Sequence, residues 1–195
     1  MPVDHFVAPE NSLEPVRYDI IEMLHRAASD KSHPWRYPTV ASVDQNGAPQ
    51  ARVMIVRDFD GTIPQIRVFT DARSPKFAEL SANPDIQLVF YDPGAKLHLR
   101  ASGTAKLHVR DDVTNACWNA LPEFGRGDYL SRLPPGAAIT SPEDALQDDS
   151  FGSENFAVID IELTEADWLS LSANGHKRAR LIWRDGKCEG RWITP

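Results

Sequence analysis

Apolar residues Leu13, Val16, Ile20, Ile21, Leu24 and Ala28 recur at helical spacing behind Asn11-Ser12, which predicts an amphipathic helix over about 12–29. From Thr39 the period shortens to that of strands. Residues 39–43 and 50–57 are β-branched and apolar, and Asn46-Gly47 between them supplies the positive-φ positions a hairpin connection favours. Asp60-Gly61 marks a second turn before a third strand over 65–70. Ser74-Pro75 then combines an N-cap residue with proline at the first helical position, opening a helix that carries Lys76, Phe77 and Leu80 and stops at Asn83-Pro84.

Further along, 86–91 and 97–107 flank the turn Asp92-Pro93-Gly94 and extend an antiparallel sheet. Asp111-Asp112 caps a helix through Leu121, with Val113, Ala116, Cys117 and Ala120 on its apolar side. Residues 156–163 alternate as a strand, Thr164-x-x-Asp167 opens a short helical turn ending near Leu171, and 178–183 with 191–194 flank Asp185-Gly186 as a last hairpin. Between these elements, 122–155 is rich in Pro, Gly, Asp and Ser, and a segment of that length is expected to cover a site or wrap a partner. The whole pattern is that of one mainly β domain with peripheral helices.

Composition narrows the function classes. A chain of 195 residues suits a single domain burying roughly 70% of its unfolded surface. Its 42% hydrophobic and 25% charged content is that of a soluble protein, and no apolar run approaches the ~20 residues of a membrane span. A net charge of −7 argues against a nucleic-acid partner. Cys117 and Cys188 lie far apart and no signal peptide opens the chain, so free thiols in a reducing cytoplasm are expected, with a disulfide as the alternative. The six histidines show no metal-ligand spacing, so no metal is expected.

The central stretch carries the candidate chemistry. Arg52 sits within an apolar strand beside Val53, Met54, Ile55 and Val56, and a guanidinium there needs an anion or a hydrogen-bonded partner. The free N–H groups after Ser74, the positive end of the helix dipole and the Lys76 ammonium are able to converge on one phosphate with it. The alternative is a strand-edge Arg52 paired with Asp58 or Asp60, beside a solvated lysine.

R-V-M-I-V-R over 52–57, V-F-T-D-A-R-S-P-K over 68–76, the following N-P with its strand and the closing R-W-I-T-P are similar to motifs of the pyridoxamine 5'-phosphate oxidase family. The resemblance runs from about Trp35 to Pro195. It implies an FMN-binding split β-barrel, antiparallel and of Greek-key type, with FMN as cofactor and a homodimer whose flavins lie between subunits. It further implies that Arg52 and Lys76 hold the FMN phosphate, that Phe69, Thr70 and the backbone of Val53 to Val56 line the flavin, and that His98 and Arg180 meet the polar edge of the ring. His98 stands at the family's glutamine, and Pro75 replaces an arginine. In the covering segment Leu133 and Pro134 stand at flavin-contact positions. At the substrate positions, Cys117 and Leu121 replace a tyrosine and an arginine, His176 and Arg178 are exchanged in type, and Asp167-Trp168-Leu169 replaces an aromatic pair. Only Arg57 keeps its charge, so Arg57 and Arg178 are the expected contacts for an anionic substrate group. Losing charge-assisted contacts at ~1.5 to 3 kcal/mol each weakens the grip on a phosphorylated vitamer by powers of ten. The expected function is an FMN-dependent oxidoreductase acting on an unidentified small molecule, with no side chain identifiable as a catalytic acid or base. The alternatives are a genuine pyridoxamine or pyridoxine 5'-phosphate oxidase with a rearranged substrate site, and a non-catalytic protein binding flavin, or haem through His98 or His176.

Overall fold

The computed structural model describes residues 12–145 and 153–195. Helix α1 (Glu14–Ser29) buries Val16, Ile20, Leu24 and Ala27, the stripe that its apolar spacing dictates. Its N-cap is Leu13; Ser12 Oγ accepts from the Glu14 N–H at 3.2 Å, and Asn11 lies outside the described residues. The last carbonyls of α1, at Ala27 and Ala28, accept from Arg36 Nη1 at 3.0 and 2.8 Å, so groups that a helix end leaves unpaired are satisfied by a buried arginine.

Among the described residues nine strands form one sheet: β1 (Thr39–Val43), β2 (Pro49–Val53), β3 (Asp58–Asp60), β4 (Gln65–Asp71), β5 (Asp85–Asp92), β6 (Leu97–Val109), β7 (Phe156–Ser170), β8 (Lys177–Arg184) and β9 (Lys187–Ile193). The order is β2-β1-β5-β6-β7-β4-β3, with β8 on β7 and β9 on β8, and the pairings are antiparallel. One edge of β7 runs along β6. Its other edge is shared, β4 taking Phe156 to Glu162 and β8 taking Glu165 to Ser170, so the sheet divides there as the expected split barrel requires. Core side chains Trp35, Leu88, Phe90, Leu99 and Ile161 fill the space closed off by α1.

Several local expectations are corrected. Thr164–Asp167 does not open a helical turn: β7 continues to Ser170 because both its edges are paired there, and two ladders outweigh one local capping signal. The second strand ends at Val53 rather than Arg57. Met54 and Val56 donate instead to Pro38 O and Arg36 O at 3.0 and 2.9 Å, and β3 adds a strand before Asp60-Gly61. In the first hairpin Gly47 has φ +83° and Asn46 has no positive φ; the Asp44 carboxylate accepts from the Asn46 and Ala48 N–H groups and shapes the turn. Both Asp185 and Gly186 have positive φ, and β9 starts at Lys187. Both cysteines are free. Among the described residues no helix is long and apolar enough to cross a membrane.

The Asp111 cap forms a full capping box with Thr114 at the start of α3 (Asp112–Ala120). Part of 122–155 docks on the sheet: after α4 (Glu123–Arg126), Tyr129 packs on Trp118 and Phe156, and Arg73, held by Asp71, donates to Ser131 O and Arg132 O. Residues 146–152 of the expected covering segment lie outside the described ones.

Two predictions follow the strand geometry. At the β6–β7 irregularity, a Cβ on Gly103 would stand 2.6 Å from Glu162 O and 2.9 Å from Ile161 Cγ2. Gly103→Ala should lower stability by ~1 to 3 kcal/mol in chemical denaturation, because a backbone atom cannot step aside. Asp167, 5% exposed, accepts bidentately from Arg178 at 2.8 and 2.8 Å and also from Arg100, and Arg178 first, then Arg100, hold its pKa at about 2 against an ordinary 3.8. A lowered folded pKa means that the stabilisation is complete above about pH 4 and disappears as pH falls towards 2. Acid titration of Asp167→Asn should therefore show a shallower stability loss over that window than the parent chain.

Candidate functional site

One cluster forms where β1, β2, the end of β4 and helix α2 (Pro75–Ala82) meet. Alternation along β1 and β2 turns Ser42 and Arg52 towards α2, whose Glu79 is buried against them. Arg52 Nη2 donates to Glu79 Oε2 at 2.8 Å, Arg52 Nη1 donates to Ser42 Oγ, and Ser42 Oγ donates to the same Glu79 oxygen. The partner of Arg52 is thus Glu79, not Asp58 or Asp60. A guanidinium has five N–H donors, and these bonds leave three.

Lys76 points into the same corner. Its Nζ donates to Thr70 Oγ1 at 3.2 Å, and Thr70 Oγ1 lies 3.2 Å from Ser74 Oγ. Burial lowers the Lys76 pKa, and repulsion from Arg52 lowers it further. Ser74 occupies the N-cap position with extended backbone, but its hydroxyl donates to Asp71 O at 2.6 Å instead of capping the helix. Pro75 has no N–H and the Phe77 N–H bonds Ser74 O, so at this helix start the Lys76 N–H is uncommitted among the described residues. Two cations, one carboxylate and three hydroxyls therefore share a small volume. Of the neighbouring 53–56 run, Met54 and Val56 are buried, Ile55 is half-buried and Val53 is exposed.

Beside this corner a cleft of about 470 Å³ lies between the sheet and α3. It brings together Arg57, Phe69, Cys117 and Leu121, and adds Arg36 and Arg67, which sequence reading missed. The Arg57 guanidinium lies over the Phe69 ring, 5.4 Å from its centroid, and near the Tyr129 hydroxyl, whose pKa burial raises. Arg67 Nε and Nη2 donate to Asp160 at 2.7 and 2.8 Å, and Nη1 lies 3.7 Å from Cys117 Sγ. That pairing raises the Arg67 pKa, while burial raises that of the Cys117 thiol. His108 stands behind, with Nδ1 2.7 Å from Asp111 Oδ2 and Nε2 3.6 Å from Asp160 Oδ2.

The remaining expected residues lie on β6 and β8. His98 stacks on Tyr91 at 4.3 Å between centroids. Arg178 is fixed by Asp167, and Arg180 Nε sits 3.1 Å from Glu165 Oε1 without hydrogen-bond alignment. His176 Nδ1 accepts from the Ser172 N–H. Among the described residues no hydrogen bond, ion pair or ring contact joins this group to Arg52, Lys76 or the cleft. The expected residues thus fall into two separate groups within one chain.

Comparison with known proteins gives this geometry a family. The profile of a family described as "Pyridoxamine 5'-phosphate oxidase, FMN-binding domain" matches residues 19–109. Pyridoxine/pyridoxamine 5'-phosphate oxidases of Anaeromyxobacter dehalogenans and Microcystis aeruginosa are 30% and 33% identical over 112 and 96 residues, covering 57% and 48% of this chain and 55% and 43% of theirs. The chain spans about half the length of the curated relatives it matches. Over 94% of this chain and 100% of its own, a pyridoxamine 5'-phosphate oxidase-related, FMN binding protein from Nostoc punctiforme superposes with TM-score 0.74 and 25% identity. PhzG from Burkholderia lata, solved in complex with tetrahydrophenazine-1-carboxylic acid, shares the fold over 99% of both chains at TM-score 0.74 and 16% identity. Profile, relatives and whole-chain architecture agree, and together they support this chain as a divergent member of the pyridoxamine 5'-phosphate oxidase-like family.

Proposed function

We infer that the chain binds FMN and works as an oxidoreductase on a small molecule, with the Arg52–Lys76 corner taking the flavin phosphate. The observation that carries this is electrostatic. Lys76 is partly buried, repelled by Arg52, and among the described residues has only a hydroxyl as hydrogen-bond partner, while Glu79 offsets one of the two positive charges. A phosphate would offset the other and accept from Arg52, Lys76 and the Lys76 N–H. The donor set fits the group, although Pro75 removes one family cation and Glu79 adds a negative charge beside it.

Bound FMN would supply hydride or electron transfer; the chain's own residues bind, orient and exclude water. Phe69 and Thr70 on β4 and the backbone of 53–56 would line the flavin, and Ser74 would hold Thr70 and Lys76 in place. His98 and Arg180 belong to the half that one chain keeps apart from the corner, which supports a homodimer in which a second copy brings them to the ring. A row of Val53, Thr39 and Val89 crosses the outer face of β2, β1 and β5 beside Tyr91, with Val53 64% and Tyr91 46% exposed. An apolar sheet face of this kind favours a covering partner.

The visible spectrum of the purified protein, with mass spectrometry of the released chromophore, tests the cofactor. An FMN signal is expected at one per chain, and a colourless chain that takes up no added FMN overturns the reading. Arg52→Ala should weaken FMN binding by ~2 to 4 kcal/mol, read by flavin fluorescence titration; an unchanged affinity removes Arg52 from the phosphate site. Sedimentation should give a dimer, and Val53→Asp should shift it towards monomer with loss of flavin.

A further inference from the structure

The cleft beside Phe69 is more cationic than its walls balance. Arg36 is 8% exposed, yet its hydrogen-bond partners are carbonyls at the end of α1. Arg57 has the face of Phe69 and the Tyr129 hydroxyl beside it. Among the described residues neither has a carboxylate within ion-pair distance. Arg67 is neutralised by Asp160, but that bidentate grip uses Nε and Nη2 and leaves Nη1 on the cleft side, against Cys117. A buried guanidinium without a counter-charge is costly, and an anionic ligand would offset it.

The walls limit the anion to a single charge. Among the described residues no serine, threonine or helix N-terminus lines the cleft, whereas Asp58 does. The part of α3 that faces it, Ala116 to Leu121, is the C-terminal half, where the helix dipole is negative; α1 likewise turns its C-terminal end to Arg36. A dianionic phosphate is disfavoured on each count. The other walls, Phe69, Ala116, Ala120 and Leu121, are apolar and suit a flat ring, and about 470 Å³ is a usual size for a small-molecule site.

We propose that this cleft binds a small ring compound through one carboxylate, with Arg57 as its main anchor and Arg67, aimed by Asp160, as the residue that sets specificity. The assignment rests on the flavin-enzyme reading, whose substrate it names by class, but the binding itself is measurable with or without flavin.

The probe is 2-naphthoate, titrated calorimetrically into the flavin-loaded protein and into the same chain without flavin, with pyridoxine 5'-phosphate and inorganic phosphate as competitors. One naphthoate per chain is expected, displaced weakly by either phosphate. Arg57→Met should weaken it by about 10-fold to 100-fold with the flavin spectrum retained. Because Arg67→Leu alone strands the buried Asp160, the paired variant Arg67→Leu with Asp160→Leu is used; it leaves neither charge unpaired and should lose naphthoate by a similar factor while still melting cooperatively. Tighter binding of pyridoxine 5'-phosphate than naphthoate overturns the carboxylate assignment, as does naphthoate binding that ignores Arg57→Met or is absent. Failure to take up FMN ends the flavin reading separately, and the naphthoate titration on that chain still decides the cleft by the same criteria.

Discussion

The arrangement depends on strand β7, whose two buried carboxylates must each meet an arginine from a neighbouring strand. Asp160 lies opposite Arg67 in the β4–β7 register, and Asp167 lies opposite Arg100 on β6 and, on β8, opposite Arg180, two pairs from the Arg178 that bonds it. Both acids are 5% exposed. A slip of one residue in any of these ladders would turn a charge away from its partner and into the core, so the ion pairs specify register as much as they stabilise it. Because β7 carries β4 and β8 on one edge, the same register fixes Arg67 in the cleft and the Arg178–Arg180 group at the far end of the barrel. Strand pairing thereby sets the spacing between the two groups.

Charge is then handled in two ways. Arg178 and Arg67 are held by bidentate carboxylates and are rigid, oriented groups rather than free cations. Arg52 is held by Glu79 and Ser42 with donors to spare, and Lys76 has no carboxylate hydrogen bonded to it among the described residues. The unneutralised charge thus sits at Lys76 and in the cleft. A site built this way orients its arginines before any ligand arrives, which lowers the ordering cost of binding.

What the sequence disclosed follows the range of the forces involved. The α1 stripe, the capped start of α3 and the hairpins at Gly47 and Gly186 are local, set by period and turn chemistry within a few residues, and they were legible. Thr164–Asp167 carried an equally local helical signal, but the ladders that overrode it join it to residues some sixty positions upstream and about fifteen downstream, and no window along the chain contains them. The same distance hid Glu79 as the partner of Arg52 and Asp160 as the partner of Arg67, 27 and 93 residues away. Arg36 offered no signal either, because its role is to close a helix end nine residues back through backbone carbonyls that every sequence possesses.

The two parts of the candidate site also differ in how freely their chemistry can change. The corner at Ser74 is tied to the turn between β4 and α2, where Thr70, Asp71, Ser74 and Lys76 bond one another over six residues. Altering one of them disturbs the start of α2 and the last pair of β4 together. Cys117 and Leu121, in contrast, project from one face of α3, and their helix is secured by a capping box and the His108–Asp111 contact that neither touches. Substitution on that face changes the lining of the cleft and its packing on Phe156 and Val158, but leaves the cap of α3 in place. A corner built into a turn and a cleft wall carried on a helix capped elsewhere therefore differ in how far a substitution in either one propagates.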